Sequence, residues 1–95
     1  MNIIGLTVYF VSILVVTPVL EKGTGWMQHT KSFPTKEICQ QEITNKGAAI
    51  VAGLVKHFGP VPLYIKDIEC LTYNETVQRN TDLGYQKKKE KNLGI

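Results

Sequence analysis

The chain has 95 residues, enough for one small domain and too few for two. Its net charge of +3 resides entirely in Gln86–Lys91, because the seven basic and seven acidic side chains up to Tyr85 cancel. A neutral body argues against a nucleic-acid-binding face, which needs clustered cations opposite the phosphates.

Met1–Leu20, MNIIGLTVYFVSILVVTPVL, has no charged side chain, and Glu21-Lys22-Gly23-Thr24-Gly25 follows as an abrupt polar shift. Residues 1–25 are therefore expected to be an N-terminal hydrophobic helix and short linker, acting as a signal peptide or a membrane anchor. As a helix, residues 3–20 would span about 27 Å, enough for a thin bilayer core. The alternatives stay open: Asn2 supplies no basic start for a signal, whereas Gly23 and Gly25 offer small residues for cleavage. If retained, residues 3–20 would contact the membrane, and Gly5, Thr7 and Ser12 would let a partner helix approach closely. A third reading buries the segment as a core helix.

Residues 26–85 are expected to form the folded domain. A body of about 60 residues buries only about 60% of its unfolded surface and is marginal without a cross-link. Gly25-Trp26-Met27-Gln28-His29-Thr30-Lys31 carries β-compatible residues and predicts a strand over about 25–33. Pro34 keeps Phe33 extended, Thr35 is a suitable N-cap, and Glu37 complements the helix dipole. Cys39, Ile43, Ile50, Leu54 and Phe58 then recur at helical spacing, predicting one helix over about 35–58 that stays in phase across Gly47. Ala48-Ala49-Ile50-Val51-Ala52-Gly53-Leu54-Val55 is apolar nearly all round, which implies burial on more than one side. His57-Phe58-Gly59-Pro60 is a stop signal.

A second strand is expected over about 61–73, with a bulge near Asp67 where the apolar parity shifts between Ile65 and Ile68. Asn74-Glu75-Thr76 ends it, and residues 77–84 read as a short helical turn or a packed arm. Residues 86–95, lysine-rich at Lys87, Lys88 and Lys89, are expected to be a disordered basic tail. The fold class is α+β: a small β-α-β unit with one disulfide, its strands parallel and joined by a crossover helix.

That topology brings the two cysteines, Cys39 and Cys70, to one end of the domain. One lies near the helix start and the other near the finish of the strand that returns to it, so a disulfide is expected. A disulfide needs an oxidising compartment, which an N-terminal export segment would supply. A zinc site would have to recruit His29 and His57. An unbroken helix holds Cys39 about 27 Å from His57, and no C-x2-C spacing is present. A nucleophilic Cys39 lacks both a C-x-x-C partner and a histidine placed beside it by the sequence.

The remaining candidates have plain alternatives. Asp67 and Glu69 share a strand face and suit an acid/base pair, or simply a solvated face beside Lys66. His57 suits the last helix carbonyls, and His29 an exposed strand position. Trp26 is a candidate interface residue, either at a membrane surface or covering a core edge. Lys87, Lys88 and Lys89 would meet an acidic surface or serve only solubility. Asn74-Glu75-Thr76 fits an N-glycosylation sequon. No glycine-rich phosphate loop, G-x-S-x-G or H-E-x-x-H occurs.

An apolar leader, a Trp-bearing strand, F-P-T-K-E-I-C opening a helix and a strand ending in E-C together resemble small uncharacterised exported proteins of bacteria and tailed phages. The resemblance covers residues 1 to about 73, and no activity or functional residue is attached to it. The expected function is non-enzymatic, without metal or cofactor: an exported or membrane-anchored, periplasmic or secreted module that binds a protein or envelope component. The alternative is a single-pass membrane subunit whose retained N-terminal helix packs on a partner helix.

Overall fold

The computed structural model of the chain describes residues 7–85. Its elements are β1 (Tyr9–Val16), β2 (Thr24–Phe33), α1 (Lys36–Phe58), β3 (Tyr64–Leu71) and α2 (Tyr73–Asp82). The three strands form one sheet in the order β2-β1-β3, with β1 antiparallel to both neighbours.

The expected N-terminal hydrophobic helix is overturned: Tyr9–Val16 is the central strand of the sheet. Its sequence, YFVSILVV, is rich in β-branched and aromatic residues, which suit a pleated backbone. A strand buried on both faces is apolar at nearly every position, so it lacks the alternation that separates strand from helix. Val11, Ile13 and Val15 pack on one face in the core that includes Cys39, while Ser12 meets α2 on the other. The chain leaves the sheet at Thr17-Pro18 and returns through Gly23, whose φ of 74° suits glycine, with the Thr17 N–H donating to Gly23 O at 3.0 Å.

Among the described residues no helix is long and apolar enough to cross a membrane. The membrane-subunit reading and the membrane contact through residues 3–20 both relied on a helix where β1 stands. The expected boundary at residue 25 likewise has no counterpart, since β1 is paired on both edges with the body.

The two-stranded parallel β-α-β unit is also corrected. β2 and β3 do point the same way, but β1 lies between them, so all strand pairing is antiparallel. The crossover through α1 skips one strand position, and the N-terminal segment fills it.

Local signals account for the helix that makes this crossover. Thr35 Oγ1 accepts the Ile38 N–H at 3.1 Å, and Glu37 sits in the first turn. Gly59, at φ 77°, ends α1 by donating its N–H to Val55 and Lys56 carbonyls. The helix continues through Gly47, where an added Cβ would meet only Ile43, at 3.6 Å. Its apolar C-terminal half is not buried on more than one side: Ala48, Ala52 and Val55 are exposed, the last at 44%. The reason is topological, since α2 crosses the opposite face of the sheet.

On β3 the register shifts by one residue between Leu14↔Asp67 and Val15↔Ile65, leaving Lys66 as the extra residue of a bulge. The bulge lets Ile65 and Ile68 both pack against the core although their spacing is odd. α2 begins earlier than the sequence reading had it. Thr72 and Glu75 form a reciprocal capping box, with Thr72 N–H donating to Glu75 Oε1 at 2.9 Å and Glu75 N–H to Thr72 Oγ1 at 3.1 Å.

A disulfide joins Cys39 to Cys70, with Cα atoms 6.0 Å apart and both side chains buried. It bolts the first turns of α1 to the end of β3. The expected tail of residues 86–95, with Lys87, Lys88 and Lys89, lies outside the described residues.

Two outcomes follow. A chain beginning at Glu21 lacks the central strand and is expected to show no cooperative urea unfolding transition, whereas a mere leader could be removed without that loss. The double variant Cys39→Ala/Cys70→Ala is expected to lose roughly 3–4 kcal/mol of unfolding free energy, the chain-entropy value for a loop of this size. Its urea midpoint should match that of the reduced wild-type chain.

Candidate functional site

Between α1 and β2 the layers part to form an open cleft of about 640 Å³, a size within the usual range for small-ligand sites. Ile13 of β1 and Met27 of β2 form its floor, and Ala49, Ile50, Gly53 and Leu54 of α1 form its wall. Polar side chains stand around this apolar interior: His29, Glu42, Lys46 and His57.

The run of the chain explains the arrangement. α1 begins just after β2 ends and runs back along it, so Lys31 meets Glu42 at 3.8 Å. Positions farther back on β2 face positions farther along α1, which places His29 and Lys46 at one part of the rim and His57 beyond the apolar stretch. The sequence joined His29 and His57 only as would-be ligands of a zinc site with the cysteines, and otherwise gave them separate positions. Their common cleft arises from the antiparallel course of α1 over β2, which no local signal encodes.

The opposite face of the sheet is closed. Trp26, 8% exposed, lies under α2 with the Arg79 guanidinium 5.0 Å from its ring centroid. Arg79 also binds Glu69 at 2.9 Å, and that hydrogen bond raises the Arg79 pKa above its ordinary value. Trp26 is thus covered rather than offered as an interface. Ser12 Oγ lies 3.2 Å from Thr76 Oγ1, which also accepts from Gln28 Nε2 at 2.9 Å. Thr76 of the sequon is buried in this network, while Asn74 is exposed.

The sheet edge beside the cleft is partly capped. The Trp26 N–H donates to Asn80 Oδ1 at 2.8 Å, and Asn80 Nδ2 donates to Trp26 O at 3.1 Å. The Asn80 amide therefore occupies both backbone groups as a neighbouring strand would. Tyr85 Oη adds a bond to Thr24 O at 2.8 Å. Farther along, the β1–β2 register shifts between Phe10↔Ser32 and Ser12↔Gln28, so His29–Lys31 leave the regular ladder.

The chemical candidates resolve as follows. No cysteine is free, which removes Cys39 as a nucleophile and both sulfurs as metal ligands. No group of three or more metal-ligating side chains forms among the described residues. Glu69 is engaged by Arg79, and Asp67 Oδ1 accepts the adjacent Ile68 N–H at 2.8 Å at the bulge. These two carboxylates are therefore held by different partners. No known protein family, curated protein or solved structure matches this chain.

Replacing Asn80 by Ala removes the Trp26 edge cap. The variant is expected to lose about 1–2 kcal/mol, the typical net worth of two partly buried hydrogen bonds. Hydrogen exchange at the Trp26 amide should accelerate more than exchange at amides of β3.

Proposed function

We propose that the protein is a non-catalytic binding module of an oxidising, extracytoplasmic compartment, periplasmic or secreted, and that it seats a protein or envelope component in the α1–β2 cleft. The observation that carries this reading is the open apolar cleft in a sheet whose other face is covered by α2. A small domain that leaves Met27, Ile50 and Leu54 only partly buried around an accessible cavity forgoes burial that its own stability would use. The compartment is supported by the buried disulfide, since such bonds persist where thiols are not kept reduced. The resemblance of the F-P-T-K-E-I-C helix start to small exported proteins points the same way.

The reading is tested with the oxidised full chain immobilised and exposed to a detergent-solubilised envelope fraction and to the secreted medium. The control is Ala49→Glu, which puts a charge on the cleft wall at an exposed helix position. A component retained by wild type and lost in the variant is the expected result. Equal retention by both, or no retention by either, overturns the assignment of the cleft as the binding site.

A further inference from the structure

The cleft has a chemistry more specific than apolar. Its α1 wall runs from Glu42 to His57, about 22 Å at about 1.5 Å per residue. The stretch between is apolar, formed by Ile50 and Leu54 over Ile13 and Met27. At the end nearer the start of α1, Glu42 is drawn to Lys31. Lys46 adds a cation there, and His29 adds an imidazole N–H donor that is present in either protonation state. The cleft is thus an open apolar trough with its charged and hydrogen-bond-donating groups, Glu42, Lys46 and His29, gathered towards the start of α1.

We infer that this trough takes a single-chain amphiphile with an anionic headgroup, a fatty-acid carboxylate, its chain along Ile50 and Leu54 and its carboxylate at Lys46 and His29. The inference rests on the binding-module reading above and names the ligand of that same cleft.

Two observations favour an acyl chain over an extended peptide. A peptide added to β2 needs a row of outward backbone groups, and those of Trp26 are taken by Asn80. The next stretch, His29–Lys31, is out of register and offers no regular ladder. An acyl chain asks for no hydrogen bonds along its length and needs them only at its head. Charge complementarity supplies that head: Glu42 and Lys46 line this end, and Lys31, outside the lining but 3.8 Å from Glu42, offsets that carboxylate and leaves Lys46 as the excess cation.

Gly53 makes the proposal testable without dismantling the fold. It lies on the cleft wall within α1, and an added Cβ would meet nothing within 4 Å. Gly53→Leu therefore fills the trough while improving helix propensity. The full-length oxidised protein is titrated by calorimetry with dodecanoate, kept below its micellar range, and separately with dodecyl maltoside, a neutral amphiphile with the same chain length.

Wild type is expected to bind dodecanoate saturably at one per chain, more tightly than the maltoside. Gly53→Leu should abolish saturation while melting no lower than wild type. Lys46→Gln should weaken binding about tenfold, the scale of one charge-assisted hydrogen bond. Absence of saturation in wild type, unchanged affinity in Gly53→Leu, or equal affinity for the maltoside each overturns the inference. If dodecanoate fails but an Ala49→Glu-sensitive protein partner is retained in the capture experiment, the ligand class falls and the binding module stands. If both fail, both fall.

Discussion

A strand with ladder partners on both edges and packing on both faces leaves its surroundings little freedom, and Tyr9–Val16 is such a strand. With β1 in the middle and antiparallel to each neighbour, β2 and β3 must point the same way. The chain between them must then cross the sheet, and α1 is that crossing. Cys39 in the early turns of α1 and Cys70 late in β3 arrive at one end for the same reason. The two faces of β1 also divide the helices. Val11, Ile13 and Val15 hold α1 by apolar contact, while Ser12 anchors α2 through Thr76.

The cleft follows from how α1 is tethered. The disulfide ties its first turns to β3, and the short connection through Gly59–Leu63 ties its last turn to the start of the same strand. The start of α1 is thus joined to both β2 and β3 and its far end to β3 alone, and Met27 and His29 of β2 stay incompletely covered. A single helix over three strands cannot close both sides at once.

The edges of the sheet receive different treatment from the cleft. β2 is capped by Asn80 and Tyr85 over its first half and loses register over its second. β3 carries the bulge at Lys66, with a lysine on the strand. Both devices discourage pairing with another chain. Together with the Trp26–Arg79–Glu69 contacts that secure α2, they leave the sheet edges and the α2 face more completely covered than the α1–β2 cleft.

Much of the local structure was legible in the sequence. Thr35, Glu37 and Gly59 set the ends of α1, and the parity change between Ile65 and Ile68 located the bulge. Thr72-Tyr73-Asn74-Glu75 held an equally local signal for α2, a capping box that reads as such once Thr72 is taken as the cap. These features are decided by neighbours a few residues apart, so sequence by itself determines them. The secondary structure of Tyr9–Val16 is of another kind: a run apolar at every position but Ser12 serves equally as a helix in lipid or as a strand buried on both faces. Only pairing with β2 and β3 chose between these, and only the course of α1 above β2 brought His29, Lys46 and His57 around one cavity. Such choices depend on contacts between residues far apart in the chain, which hydrophobic pattern alone does not specify.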